Sequence, residues 1–318
     1  MSILSLIVNN VKPDTIEVVN YGAGSYTAMA ASDDGTKLVG VKYNQGLHTS
    51  SDAGKYWKQY AVTQFVTQPW WTVASAPTGQ HLIASYYGPS SNVAISNDFG
   101  TTWTWRTVNS SITAIRHTAM SADGKTMIVV GAENQATIAG VYISTDYGVT
   151  WVRKNLSGFD IFSVACSADA TIIYAAAAGT LHVSTNMGAT FTKKDVYTNS
   201  LFTASRDGNT LLYAFGAGTR MIYLSRDGGT TWNIKGQTVN NANVKSLTIS
   251  PSGEEMIITC GDNDGYVYTS YDSGETWQIR DYFGMGDWQC SISLANGDFL
   301  VSERLSGYLY LIPKPKVI

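Results

Sequence analysis

Ser96-Asn-Asp-Phe-Gly-Thr-Thr-Trp103 recurs along the chain with small changes, and its recurrence decides the fold. The other copies read Ser50-Ser-Asp-Ala-Gly-Lys-Tyr-Trp57, Ser144-Thr-Asp-Tyr-Gly-Val-Thr-Trp151, Ser184-Thr-Asn-Met-Gly-Ala-Thr-Phe191, Ser225-Arg-Asp-Gly-Gly-Thr-Thr-Trp232 and Ser270-Tyr-Asp-Ser-Gly-Glu-Thr-Trp277. They follow S-x-D-x-G-x-T-W at intervals of 40 to 48 residues. A period of that length marks stacked units, such as the blades of a propeller, rather than one irregular core. The turn has its own chemistry. The third residue (Asp52, Asp98, Asp146, Asn186, Asp227, Asp272) accepts hydrogen bonds from nearby backbone N–H groups, Ser adds a second polar group, and Gly supplies a backbone angle that other residues resist. The closing Trp anchors the next strand through its apolar area. In the fourth copy Asn186 replaces Asp and Phe191 replaces Trp, which keeps both an acceptor and a ring.

A second marker counts the units. A Ser and a tight turn precede an apolar run at Ser32-Asp-Asp-Gly35, Ser75-Ala-Pro-Thr-Gly79, Ser121-Ala-Asp-Gly124, Ser167-Ala-Asp-Ala170, Ser205-Arg-Asp-Gly208, Ser250-Pro-Ser-Gly253 and Ser293-Leu-Ala-Asn-Gly297. Seven turns imply seven blades. Each repeat parses into four short strands rich in Val, Ile, Tyr and Thr, A to D; in the third they are expected at 113–120, 126–131, 140–144 and 150–154. No long stretch has a helical period, so the chain reads as all-β.

The seventh repeat lacks the S-x-D-x-G-x-T-W turn, and Pro313 and Pro315 follow its third strand at 308–312. Proline cannot donate to a ladder, which discourages a fourth strand there. The alternating segment 15–20 is therefore expected to complete that blade and close the ring. The expected architecture is one domain over 1–318, a seven-bladed β-propeller of four-stranded antiparallel blades, the last composed of about 285–312 plus about 15–20.

The repeated turn resembles the Asp-box, or bacterial neuraminidase, repeat of sialidases, the sortilin ectodomain, some xyloglucan-degrading glycosidases and photosystem II assembly factors of the Ycf48 type. The resemblance covers nearly the whole chain and implies the propeller; it does not imply a chemistry, since those families share a fold and not a function. A sialidase needs three converging arginines, a Tyr–Glu nucleophile pair and six blades. Here the first arginine is Arg106, after the second repeated turn, and seven blades are expected. The assembly-factor resemblance fits length and blade count but lacks an arginine-rich patch.

Composition narrows the rest. Lys and Arg number 21 against 24 Asp and Glu, a net charge of −3, with no basic cluster to bind nucleic acid. No apolar run approaches the length of a membrane span. The opening Met-Ser-Ile-Leu-Ser-Leu-Ile-Val lacks a basic region and a cleavage site, so a cytoplasmic or particle-associated chain, such as a virion component, is expected. Cys166, Cys260 and Cys290 read as small buried hydrophobes. His48, His81, His117 and His182 have no metal spacing, and Asp262-Asn-Asp-Gly265 reads as a plain turn rather than a calcium loop. No cofactor or metal is expected.

Strand alternation places the D–A and B–C loops on one face, and the A–B turns with the repeated turns on the other. The first set varies in length and composition, which suits recognition on a rigid scaffold. Tyr26, Trp70 and Trp288 share or nearly share a position where strand A begins; Trp71, Tyr86, Tyr87 and Tyr282 lie close by in sequence, and Arg116 and Lys245 reach the same face. Such aromatics suit a protein hot spot or a sugar ring; the alternative for Trp70 and Trp288 is packing between blades. The expected function is a non-enzymatic module binding a protein surface or a glycan. The alternative is a glycoside hydrolase using Asp281 and Asp287, whose carboxyls would stand roughly 5 to 9.5 Å apart.

Overall fold

A computed structural model describes residues 17–19, 26–88, 91–133, 138–154, 156, 161–177, 179–194, 201–215, 221–237, 243–262, 265–294, 296–304 and 307–315. These form seven four-stranded antiparallel sheets, the blades of a seven-bladed β-propeller. In blade three the strands are Ile112–Met120, Met127–Glu133, Ile138–Ser144 and Val152–Lys154, close to the sequence expectation. By packing, the chain divides into two compact units, Thr27–Phe202 and Met1–Tyr26 with Thr203–Ile318.

The seventh sheet takes its outer strand from the N-terminus. Glu17–Val19 pairs antiparallel with Leu309–Ile312, with Val18 opposite Tyr310. Beyond Ile312 the backbone N–H of Lys314 donates to Asp298 Oδ1 at 2.7 Å, and its Nζ reaches Glu255 Oε1 at 2.6 Å. The prolines thus end the strand, and the segment after it is fastened by side chains.

The B strands are buried along their length, as in Leu38–Lys42, Ile173–Ala177 and Phe299–Glu303. Side chains on both of their faces are buried, so they read as near-continuous apolar runs without a period of two. The core lies between consecutive sheets: Val39, Leu47, Trp70 and Ala84 join blades one and two, and Ile257, Val267, Trp288 and Phe299 join blades six and seven.

The repeated turn performs the chemistry read from its sequence. In the third copy Ser144 Oγ donates to Asp146 Oδ1 at 2.7 Å and accepts the Gly148 N–H at 2.8 Å; Thr150 donates its N–H to Oδ1 at 2.8 Å and its hydroxyl to Oδ2 at 2.6 Å. Those bonds, the Thr150 hydroxyl foremost, hold the Asp146 carboxyl at about 2. In the fourth copy the polarity reverses, with Asn186 Nδ2 donating to the Thr190 hydroxyl at 2.9 Å. The residue before the glycine adopts positive φ, 60° at Tyr147, an uncommon conformation for a bulky residue. Its N–H donates to the Lys125 carbonyl of the A–B hairpin at 3.1 Å, tying the two turns of the blade together. The glycine also lets blades approach: a Cβ on Gly188 would lie 2.7 Å from Ile143 Cδ1 of the preceding blade.

Helix among the described residues is confined to the D–A loops, as one turn at Thr63–Val66 and a 3-10 turn at Asp281–Phe283. Neither was expected from the sequence. Both serve to bring a phenylalanine over the tryptophan that begins the next A strand.

Candidate functional site

The A strands carry the device that presents side chains on the variable face. In blade two the pairing runs from Trp70 opposite Tyr86 to Thr72 opposite Ser85, so Trp71 is an extra residue on a β-bulge. The same slip occurs at Phe162, Lys245 and Gln289. A bulge inserts one unpaired residue and re-aims its side chain. Trp70 therefore points into the core, and Trp71 points out.

That division corrects part of the sequence expectation. Trp70 is fully buried, lying parallel to Trp105 at 5.7 Å and Phe65 at 6.3 Å, with Tyr86 edge-on at 5.9 Å. Its indole Nε1 donates to the Phe65 carbonyl at 2.7 Å. Trp288 is buried against Phe283 and Tyr310. Tyr26 is buried too; its carbonyl accepts from Cys290 Sγ at 3.4 Å, and burial pushes its phenol far above the usual range. These three rings are core residues, because position at the start of strand A places them between sheets. Tyr86 is half-buried against Trp70. The side chain of Tyr282 lies outside the described residues.

What the face presents in Thr27–Phe202 is an aromatic platform. Trp71 is 50% exposed and Tyr87 is 60% exposed, with ring centroids 5.8 Å apart. Tyr43, which sequence reasoning missed, is 53% exposed. It forms an isolated antiparallel bridge with Pro69, and the Pro69 carbonyl accepts the Tyr87 N–H at 2.8 Å. One proline backbone thus fixes the loops of blades one and two on either side of it. The missed signal was Asn44, whose φ of 55° makes the tight B–C turn that sets Tyr43 at its edge. Lys42 is buried next to this turn, and burial lowers its ammonium pKa. Farther along the same unit, Arg116 lies over the Phe162 ring at 5.1 Å.

In the other unit the equivalent positions are polar. Asp287 is buried and its Oδ1 accepts from Gln289 Nε2 at 2.6 Å and from the Asp262 N–H at 3.2 Å, while Arg304 Nη1 stands 3.4 Å from Oδ2. Lys245 Nζ donates to Asp262 Oδ1 at 2.8 Å. The Asp287 carboxylate is thereby occupied as an internal acceptor, whereas Asp281 is exposed on the 3-10 turn. These surroundings give Asp287 a structural task, holding Gln289 and the Asp262 backbone in place. Among the described residues no group of three metal-ligating side chains occurs. None of the three cysteines is in a disulfide, and burial raises the Cys166 thiol to about 12.

No family model matches the chain, and no curated protein matches it either. Solved structures do. Ycf48 bound to a D1 peptide superposes with a TM-score of 0.73 at 13% identity, covering 98% of this chain and all of that one. The GH74 enzyme of Niastella koreensis superposes with a TM-score of 0.72 at 17% identity, covering 93% of this chain, which spans about half (53%) of the enzyme. At such identities the likeness is one of fold, and that fold is the β-propeller.

Proposed function

We propose that this protein is a non-enzymatic recognition module that takes a protein surface or a glycan on the face bearing its D–A and B–C loops. The observation that carries the reading is the bulge at Trp71. It turns a large ring out of the core, beside Tyr87 and close in the chain to residues that are fully buried. An exposed aromatic group on rigid strands loses little conformational freedom on binding, and aromatic residues dominate the energetics of interfaces. Ycf48, similar in fold, is bound to a D1 peptide in its solved structure, which supports a protein partner for a chain of this shape.

The test is a pull-down from the native source with wild-type protein and with the double variant Trp71→Ala/Tyr87→Ala. Retention of the partner should fall at least about tenfold while the melting temperature is unchanged, as expected when an exposed contact worth about 1.4 kcal/mol or more is removed. A folded double variant that retains its partner as well as wild type refutes the platform. Turnover of fluorogenic glycosides that disappears in Asp287→Asn and in Asp281→Asn would instead establish an enzyme.

A further inference from the structure

The described residues of the three loops that build the platform, 43–47, 60–71 and 86–88 with 91–92, include no Asp, Glu, Lys, Arg or His. Their counterparts around blade seven, 261–266, 280–289 and 303–308, contain seven charged residues: Asp262, Asp264, Arg280, Asp281, Asp287, Glu303 and Arg304. Absence of charge at the first surface is thus local and not a property of the whole chain. The platform offers instead three half-exposed rings and the exposed side-chain amides of Asn44, Gln45 and Gln64.

From this composition we infer that the ligand of the Trp71–Tyr87–Tyr43 platform is an uncharged carbohydrate; the inference rests on the recognition reading above. Sugar rings present C–H faces that pack on aromatic rings and hydroxyls that exchange hydrogen bonds with amides, which both donate and accept. A charged glycan would find no counter-ion here and would lose hydration without return. A protein partner's hot spot is enriched in Trp, Tyr and Arg and ringed by a polar rim that steers association through charge. These segments carry the aromatic rings but no Arg and no charged rim. Among the large exposed apolar side chains described on these segments, Tyr43, Trp71 and Tyr87 are aromatic and Val62 is aliphatic. The platform is also pre-organised: the bulge sets Trp71, and the Pro69 backbone holds the loops of Tyr43 and Tyr87, so little ordering opposes binding.

The experiment is titration calorimetry of the full chain with cellohexaose, mannohexaose and chitohexaose, alongside a sialylated and a sulfated oligosaccharide. At least one neutral probe should bind, with an affinity that changes less than about twofold between low and high salt, since no ion pair is formed to be screened. Trp71→Ala/Tyr87→Ala should weaken it at least about tenfold, and Asp287→Asn, in the charged segments around blade seven, should leave it unchanged. Binding confined to the charged probes, steep salt dependence, or full affinity in the double variant overturns the proposal. If no neutral probe binds while the double variant loses its partner in the pull-down, the ligand class is wrong and the recognition reading stands. If neither readout responds to the double substitution, both fall.

Discussion

The D–A loops leading into blade two and blade seven are built to one plan and finished with different chemistry. Each starts at a residue whose N–H donates to the neighbouring C strand, Tyr60 to Leu47 and Arg280 to Val267, both at 2.8 Å. Each sets a phenylalanine five residues before the buried tryptophan, and each lets the residue preceding that tryptophan accept an N–H from the next B–C loop: Tyr87 to Pro69, Arg304 to Asp287. The first loop is two residues longer. Its extra length allows a full helical turn, and Trp70 Nε1 reaches the Phe65 carbonyl; the shorter loop makes a 3-10 turn, and Trp288 Nε1 has no partner among the described residues. Where the first places Trp71 and Tyr87, the second places Gln289 and Arg304 around a buried carboxylate. Backbone geometry at such a loop therefore sets where a side chain emerges, and residue identity alone sets what it offers.

The sharpest way to break this comparison is to remove the buried rings. Trp70→Ala and Trp288→Ala should each cost about 3–5 kcal/mol in urea unfolding. The phenylalanine variants should differ: Trp70→Phe strands the buried Phe65 carbonyl at an added cost of about 1–3 kcal/mol, whereas Trp288→Phe discards an N–H that was unpaired. Equal losses for the two phenylalanine variants would show that the missing hydrogen bond is not what separates the loops.

Next in size is the residue before each tryptophan. Asp287→Ala leaves Gln289 Nε2 and the Asp262 N–H without their acceptor and should cost about 1–3 kcal/mol, while Pro69→Ala should cost about 1 kcal/mol or less, mainly through the unfolded chain. Matching denaturation midpoints for the two would remove the structural role of the Asp287 carboxylate.

Acid sharpens the contrast further. His48 lies on strand C of blade one, and burial, then Lys42, hold its imidazole at about 4 against an ordinary 6.5. His117 is held at about 4 by burial. The unfolded chain binds protons that these folded rings refuse, so their contribution is intact above 6.5 and is lost as pH falls toward about 4. Asp146 and Asp227, held at about 2 by bonds from Thr150 and Thr231, extend the loss from the ordinary carboxylate range down to about 2. Urea midpoints across this range should fall in both intervals, and His48→Gln should flatten the upper one.

The smallest effect is the most diagnostic. Trp71→Ala and Tyr87→Ala, though they remove large rings, should change stability by no more than about 0.5 kcal/mol, because both rings are half-exposed and lie outside the core. A large destabilisation would make them packing residues and leave the face without its contact.

Much of this was legible in the residues. The count of A–B turns gave the seven sheets, the bonding of Ser144, Asp146, Gly148 and Thr150 follows from their chemistry, and the prolines at 313 and 315 pointed to a seventh blade finished by the N-terminal strand. The aromatic cluster was also located, but its members were not sorted. Trp70 and Trp71 are adjacent and identical in type, and Tyr43 sits in a turn that no aromatic cluster in the sequence marked out.

The chain alone determined how many sheets form and how each hairpin turns, because those depend on contacts between residues a few positions apart. Which ring is core and which is surface was decided only in three dimensions. Along a strand one residue of register moves a side chain to the opposite side, and the slip that separates Trp70 from Trp71 arises from pairing with Tyr86 and Ser85, which lie more than a dozen residues away.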